Sequence, residues 1–154
     1  MKKPIFTAKF NQLGISLLEV LLSLSIIAII LVLATRYFFV ATNNNKVNTA
    51  ISQISGIIAA IHTWKGINTS YTGVSVQVLY DAGQLANFPG LDDATISAVK
   101  LKDLWGDEFN VTPASDNNHV TITLTLPDAG NCEALRNAYN GATCSGTAFS
   151  YILS

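Results

Sequence analysis

Three regimes of apolar patterning follow one another along the chain. From Ile15 to Ala34, twenty residues form an almost unbroken apolar run, relieved by small polar residues such as Ser23 and Ser25 and carrying one charge, Glu19. A helix rises about 1.5 Å per residue, so this run is about 30 Å long, the hydrocarbon thickness of a bilayer, and predicts a membrane-spanning helix. Past Asn43, Asn44, Asn45 and Asn48 the period changes. Val47, Ile51, Ile54, Ile58 and Ile61 recur at alternating spacings of four and three, and Ile57 and Trp64 widen the stripe, which is the signature of an amphipathic helix. No proline falls between Ile15 and Trp64. A single long helix is therefore expected, its apolar N-terminal half projecting and its C-terminal half packed on a domain. The asparagines at 43–45 are poor helix formers and mark where that helix would bend or soften. Gly66 through Gly73 reads as its exit loop.

The third regime is short-range. Val120, Ile122, Leu124 and Leu126 alternate with Thr121, Thr123 and Thr125, which predicts a strand with one face on a core and the other polar. Glu108 to Thr112 and Ala148 to Leu153 read as further strands, and Asp116-Asn117-Asn118 is turn chemistry between the first two. Short helices are expected from Ser75 or Val76 into Asp81-Ala82-Gly83, from Asp93 or Thr95 to about Lys102, and from Cys132 through Tyr139, which Gly141 breaks. The fold class is α+β: a long N-terminal helix with a membrane half, packed on a small antiparallel sheet. The expected organisation is a basic leader over 1–14, a membrane half over 15–40 and one globular domain over 41–154.

Charge orients this arrangement. The leader carries Lys2, Lys3 and Lys9 and no acid, a bias that keeps it in the cytoplasm and sends the remainder outward. From Arg36 onward six bases face nine acids, a net charge of −3, which gives no footprint for general nucleic-acid binding. An ordinary secretory signal has a shorter apolar core followed by a small-residue cleavage site. Here a glycine, Gly14, precedes the apolar run, and a cut after it leaves the helix on the mature protein as its new N-terminus.

The string Gly14-Ile15-Ser16-Leu17-Leu18-Glu19-Val20 resembles the class III prepilin signal of the type IV pilin superfamily: a short basic leader, a glycine at the cut, an apolar first residue and a glutamate fifth. Where the common pattern has phenylalanine, this chain has Ile15, a feature that leans toward the type IVb branch. The resemblance implies a pilin fold, cleavage by a membrane aspartyl prepilin peptidase after Gly14, N-methylation of Ile15, and assembly through the inner-membrane pilus machinery into a homo-oligomeric helical filament. The family's proline in the membrane half is absent, since Arg36 stands at that position.

A physical reason for Glu19 follows. A carboxylate without a partner among apolar helices costs several kcal/mol. The new ammonium on Ile15 of a neighbouring copy would neutralise it and fix the axial register of the two helices, a use of a buried pair for specificity more than for stability. The plainer alternative is a static single-pass anchor whose Glu19 snorkels to the interface.

Cys132 and Cys144 lie twelve positions apart. In an exported domain two thiols most often pair, and closing such a loop is worth roughly 3 kcal/mol. A metal site or reactive thiol needs histidines or a basic surrounding, and neither His62 nor His119 is nearby in sequence. A cysteine-bounded C-terminal loop also resembles the exposed D-region of type IV pilins. No catalytic motif is found, neither G-x-S-x-G, nor H-E-x-x-H, nor a phosphate-binding loop, and no cofactor or metal is expected. The acids at 92–93, 103, 107 and 108 suit capping and a solvated face better than a cation, which wants convergent oxygens. Asn68-Thr69-Ser70 and Asn110-Val111-Thr112 match the glycosylation sequon, a weak signal.

The whole-chain likeness, including Trp105-Gly106, the threonine-rich strand and the cysteine pair, is greatest to type IVb pilins, among them the conjugative thin-pilus kind, whose filaments serve adhesion, mating contact or DNA uptake. Two alternatives stand beside a pilus subunit. A type II secretion pseudopilin shares the leader and glutamate but commonly lacks the cysteine pair. A membrane-anchored periplasmic binding module would share the anchor and never assemble.

Overall fold

The computed structural model describes residues 16–92 and 99–154. The chain divides into two compact units, one reaching to Val40 and the other comprising Ala41–Ser154. Helix α1 (Leu17–Ile67) supplies residues to both.

In the first unit every described residue, Ser16 through Val40, is exposed. Three of its hydroxyls bond back to the helix itself. Ser23 Oγ donates to the Val20 carbonyl at 2.9 Å, Ser25 Oγ to Leu22 at 2.7 Å, and Thr35 Oγ1 to Leu31 at 2.7 Å. These three hydroxyls are thus satisfied locally, and apart from the charged Glu19 and Arg36 the helix presents a nearly continuous apolar surface.

The second unit holds the core. Along α1 the buried residues are Val47, Ala50, Gln53, Ile54, Ile57, Ala60, Ile61 and Trp64. The expected stripe is therefore rotated: Ile51 and Ile58 are only partly buried at its flank, whereas Ile57 is fully buried beside Ile54 and Ile61, and Trp64 is buried too. Ala50 and Ala60 count for little in an apolar tally, yet both are buried on this face.

Four antiparallel strands, β3 (Asn110–Pro113), β4 (Val120–Thr125), β5 (Thr143–Ser145) and β6 (Ala148–Leu153), order as β3-β4-β6-β5. Register places Ile122 between Val111 and Tyr151 on the core face, and Thr121 opposite Ile152 on the outer face. The predicted alternation of β4 is observed, with Val120, Ile122 and Leu124 buried. The turn before it contains Asn117 at φ 54°, a left-handed conformation that asparagine tolerates.

Helix α2 (Val76–Asp81) starts at Ser75, whose hydroxyl accepts from Val78 N. It ends in a Schellman motif, with Gly83 N donating to Tyr80 O and Gln84 N to Leu79 O, and Gly83 at φ 75°. The expected second short helix is corrected in its last part. Lys100–Leu101 forms strand β2, paired antiparallel with β1 (Leu91–Asp92), while 93–98 lie outside the described residues. The reason is visible in the burial of Val99, Leu101 and Asp103, a period of two in which Lys100 faces outward. Backbone bonds pin the segment on both sides: Lys102 N to Gly90 O, and Phe109 N to Leu101 O, each 2.8 Å.

Helix α3 (Ala129–Ala138) begins three residues before Cys132, capped by Asp128. The strand expected from Glu108 starts instead at Asn110, and Glu108 forms an isolated bridge with Lys102.

Candidate assembly surface

Over the described residues of the first unit the helix has no internal cover. Large apolar side chains from Leu17 to Val40 are between 44% and 77% exposed, a contiguous apolar area far beyond what a water-soluble monomer leaves uncovered. Length and composition suit a bilayer. Glu19 lies in the first turn of α1, where a carboxylate is favoured by the helix dipole. At the other end Arg36 is followed by Tyr37, Phe38 and Phe39, exposed by 74%, 68% and 66%, an aromatic group of the kind that sits at membrane interfaces. Among the described residues neither Glu19 nor Arg36 forms an ion pair. The expected cleavage residues Gly14 and Ile15 lie outside the described residues.

In the second unit the start of the packed helix is tied down. Asn43 Nδ2 donates to Asn131 Oδ1 at 2.7 Å, and Asn131 Nδ2 donates to Asp128 Oδ2 at 2.7 Å, while Asp128 Oδ1 accepts Asn131 N at 2.9 Å. Asn131 is 3% exposed, so its side-chain amide is satisfied by these bonds and would be costly to leave unpaired. They edge an open groove of about 380 Å³ that Asn44, Asn48 and Gly130 also line. One residue further on, Cys132 is disulfide-bonded to Cys144 of β5 across a Cα separation of 5.9 Å. Tyr139 follows α3, its hydroxyl donating to the Ile51 carbonyl and lying 2.8 Å from Ser55 Oγ. Burial pushes the Tyr139 phenol up, against the pull of Ser55. The Asn43–Asn131–Asp128 link is absent from the sequence reading, although Asp128 three residues before Asn131 is an N-cap signal.

The acidic positions are engaged locally. Asp92 meets Lys102 Nζ at 2.7 Å and Glu108 meets Lys100 Nζ at 2.6 Å. Asp103 Oδ1 accepts Trp105 N and Asp107 N at 2.8 and 3.0 Å, closing the turn at Gly106. His62 is exposed on α1, and His119 Nδ1 lies 2.7 Å from Asp116 Oδ2. Among the described residues none of these groups forms a metal-ligand cluster.

The family model described as Bundlin matches residues 40–150. The chain belongs to the Bundlin family. Two curated relatives bear the name major structural subunit of bundle-forming pilus, one from Escherichia coli O127:H6 (strain E2348/69 / EPEC) and one from Escherichia coli O111:H-. Each is 28% identical over 148 residues, covering 95% of this chain and 74% of the relative. No solved structure matches the chain. The Bundlin match covers the tethered helix end, the sheet and the cysteine pair, and the resemblance to type IV pilins carried by the N-terminal motif is thereby supported from an independent part of the chain. The Bundlin relatives are named as structural subunits, not as enzymes.

Proposed function

We propose that this chain is a structural subunit of a type IVb pilus, held by α1 in the bacterial inner membrane before assembly and polymerised through the same helix into an extracellular filament. The observation that carries this reading is the exposed apolar stretch 16–40 of α1, continuous in sequence with a Bundlin-family domain. Exchanging lipid for the helices of other copies replaces one apolar environment with another, so extraction from the membrane is tolerable. The names of the relatives favour a pilus over a secretion pseudopilus or a static anchor.

In this reading the leader over 1–14 is removed by a prepilin peptidase after Gly14, Ile15 is N-methylated, and Glu19 accepts the Ile15 amine of a neighbouring copy during assembly by the inner-membrane machinery. Mass spectrometry of sheared filaments tests the processing: a mature chain starting at methylated Ile15 is expected, and an intact leader on a non-filamentous membrane protein would sink the proposal. Glu19→Gln removes the charge while keeping the size. It should leave membrane levels of the subunit unchanged and reduce filament yield by about tenfold or more, the effect of deleting one partner of a buried charge pair.

A further inference from the structure

We infer that Arg36 is the second half of the assembly register, its guanidinium pairing with Glu19 of another copy about 25 Å further along the filament axis. This rests on the reading that copies polymerise through α1, and adds a contact that the Ile15 amine does not supply.

Within Ser16–Val40 the charged side chains are Glu19 and Arg36, of opposite sign. Every other polar side chain there either bonds back to its own helix or is a short serine or a tyrosine. When copies pack along this segment, a guanidinium left among apolar side chains has the same need of an opposite charge that Glu19 has. The only anionic side chain the described part of this unit offers is a carboxylate with two oxygens. Its two oxygens offer about four lone-pair sites, enough to accept a planar guanidinium fork and an amine together.

Geometry then decides which copies meet. Glu19 and Arg36 are seventeen positions apart, about 25 Å along a helix, so the pair cannot form within one copy. Seventeen residues make about 4.7 turns, which sets the two side chains roughly 100° apart around the axis. Two parallel copies offset to join one Arg36 to one Glu19 therefore leave the reciprocal pair far apart and on different faces. Each copy must use its Glu19 toward one neighbour and its Arg36 toward another. Such a head-to-tail contact does not close on itself and generates an open helical polymer. The amine contact works at a much shorter offset, about 6 Å for four residues, so the two contacts involve different neighbours.

The test uses the full chain in cells that assemble the filament. Arg36→Lys keeps the cation and should retain at least about half of the wild-type filament yield, whereas Arg36→Leu should lower it about tenfold with the membrane level of the subunit unchanged. Arg36→Leu filaments at wild-type yield would overturn the inference. Filaments of Arg36→Lys assembled from mixed light- and heavy-isotope subunits are then treated with a membrane-permeable carbodiimide. The expected product is an amide joining Glu19 of one copy to the new lysine at position 36 of another. Filaments that cross-link from position 36 only to a carboxylate of the globular unit, or not at all, would overturn the inference while leaving polymerisation through α1 intact. Absence of any filament from the wild-type chain would overturn both.

Discussion

Asp103 shows how a single carboxylate shapes a turn. It is 6% exposed, and its Oδ1 accepts two backbone N–H groups while its Oδ2 is buried without a hydrogen-bond partner among the described residues. Burial raises its pKa above the ordinary carboxylate value, more than the N–H groups of Asp107, Trp105 and Gly106 lower it. In the window between the ordinary and the raised value the folded chain holds a proton that the unfolded chain has lost, so stability falls as pH rises through it. Asp103→Asn keeps the accepting oxygen and removes the titration. Its stability relative to the wild type, read from urea midpoints, should therefore improve as pH rises through that window and level off above it. Asp116 has the opposite sign. The Asn118 N–H and then the His119 ring lower its pKa, so the stabilisation is present above the ordinary carboxylate value and is lost as pH falls through the depressed one.

At the scale of elements, the β1–β2 pair depends on one residue without a side chain. Gly90 sits at φ 88°, and a Cβ there would lie 2.0 Å from the Lys102 carbonyl oxygen and 2.6 Å from Gln53 Nε2. Gln53 is itself buried in α1 and donates to both Pro89 O and Lys102 O. Gly90→Ala combines backbone strain with a clash against main chain, and should cost about 2 kcal/mol or more, measured as a shift of the unfolding midpoint. None of this was legible in the sequence. A two-residue strand pair is too short for a periodic pattern, and Gln53 reads as polar until its two carbonyl partners are brought beside it. By contrast α1 and β4 were legible, because a long period-3.6 stripe and a strict alternation of valine, isoleucine and leucine with threonine each fix a face. An apolar count misplaces the α1 face because alanines carry little weight in it. Within the candidate surface, Glu19 stood out as the only acid in an oily run, whereas the tether from Asn43 to Asn131 joins residues 88 positions apart, a separation that pattern reading does not reach.

For the whole molecule, the disulfide joins the last helix to the edge strand of the sheet. Replacing Cys132 and Cys144 by serine together should lower the stability of the second unit by about 3 kcal/mol through loss of loop closure, read by thermal unfolding, and leave membrane insertion unaffected. The consequence reaches beyond equilibrium. In the proposed filament, load borne by α1 reaches the second unit along that helix, where Asn43 bonds to Asn131 and a covalent bond follows at the very next residue, Cys132. From Cys144 the strain passes into β6 and the centre of the sheet, where rupture requires shearing several backbone bonds at once. Single fibres stretched in reductant should lengthen at lower force than untreated ones, because the link that shares the tug between helix and sheet has been cut.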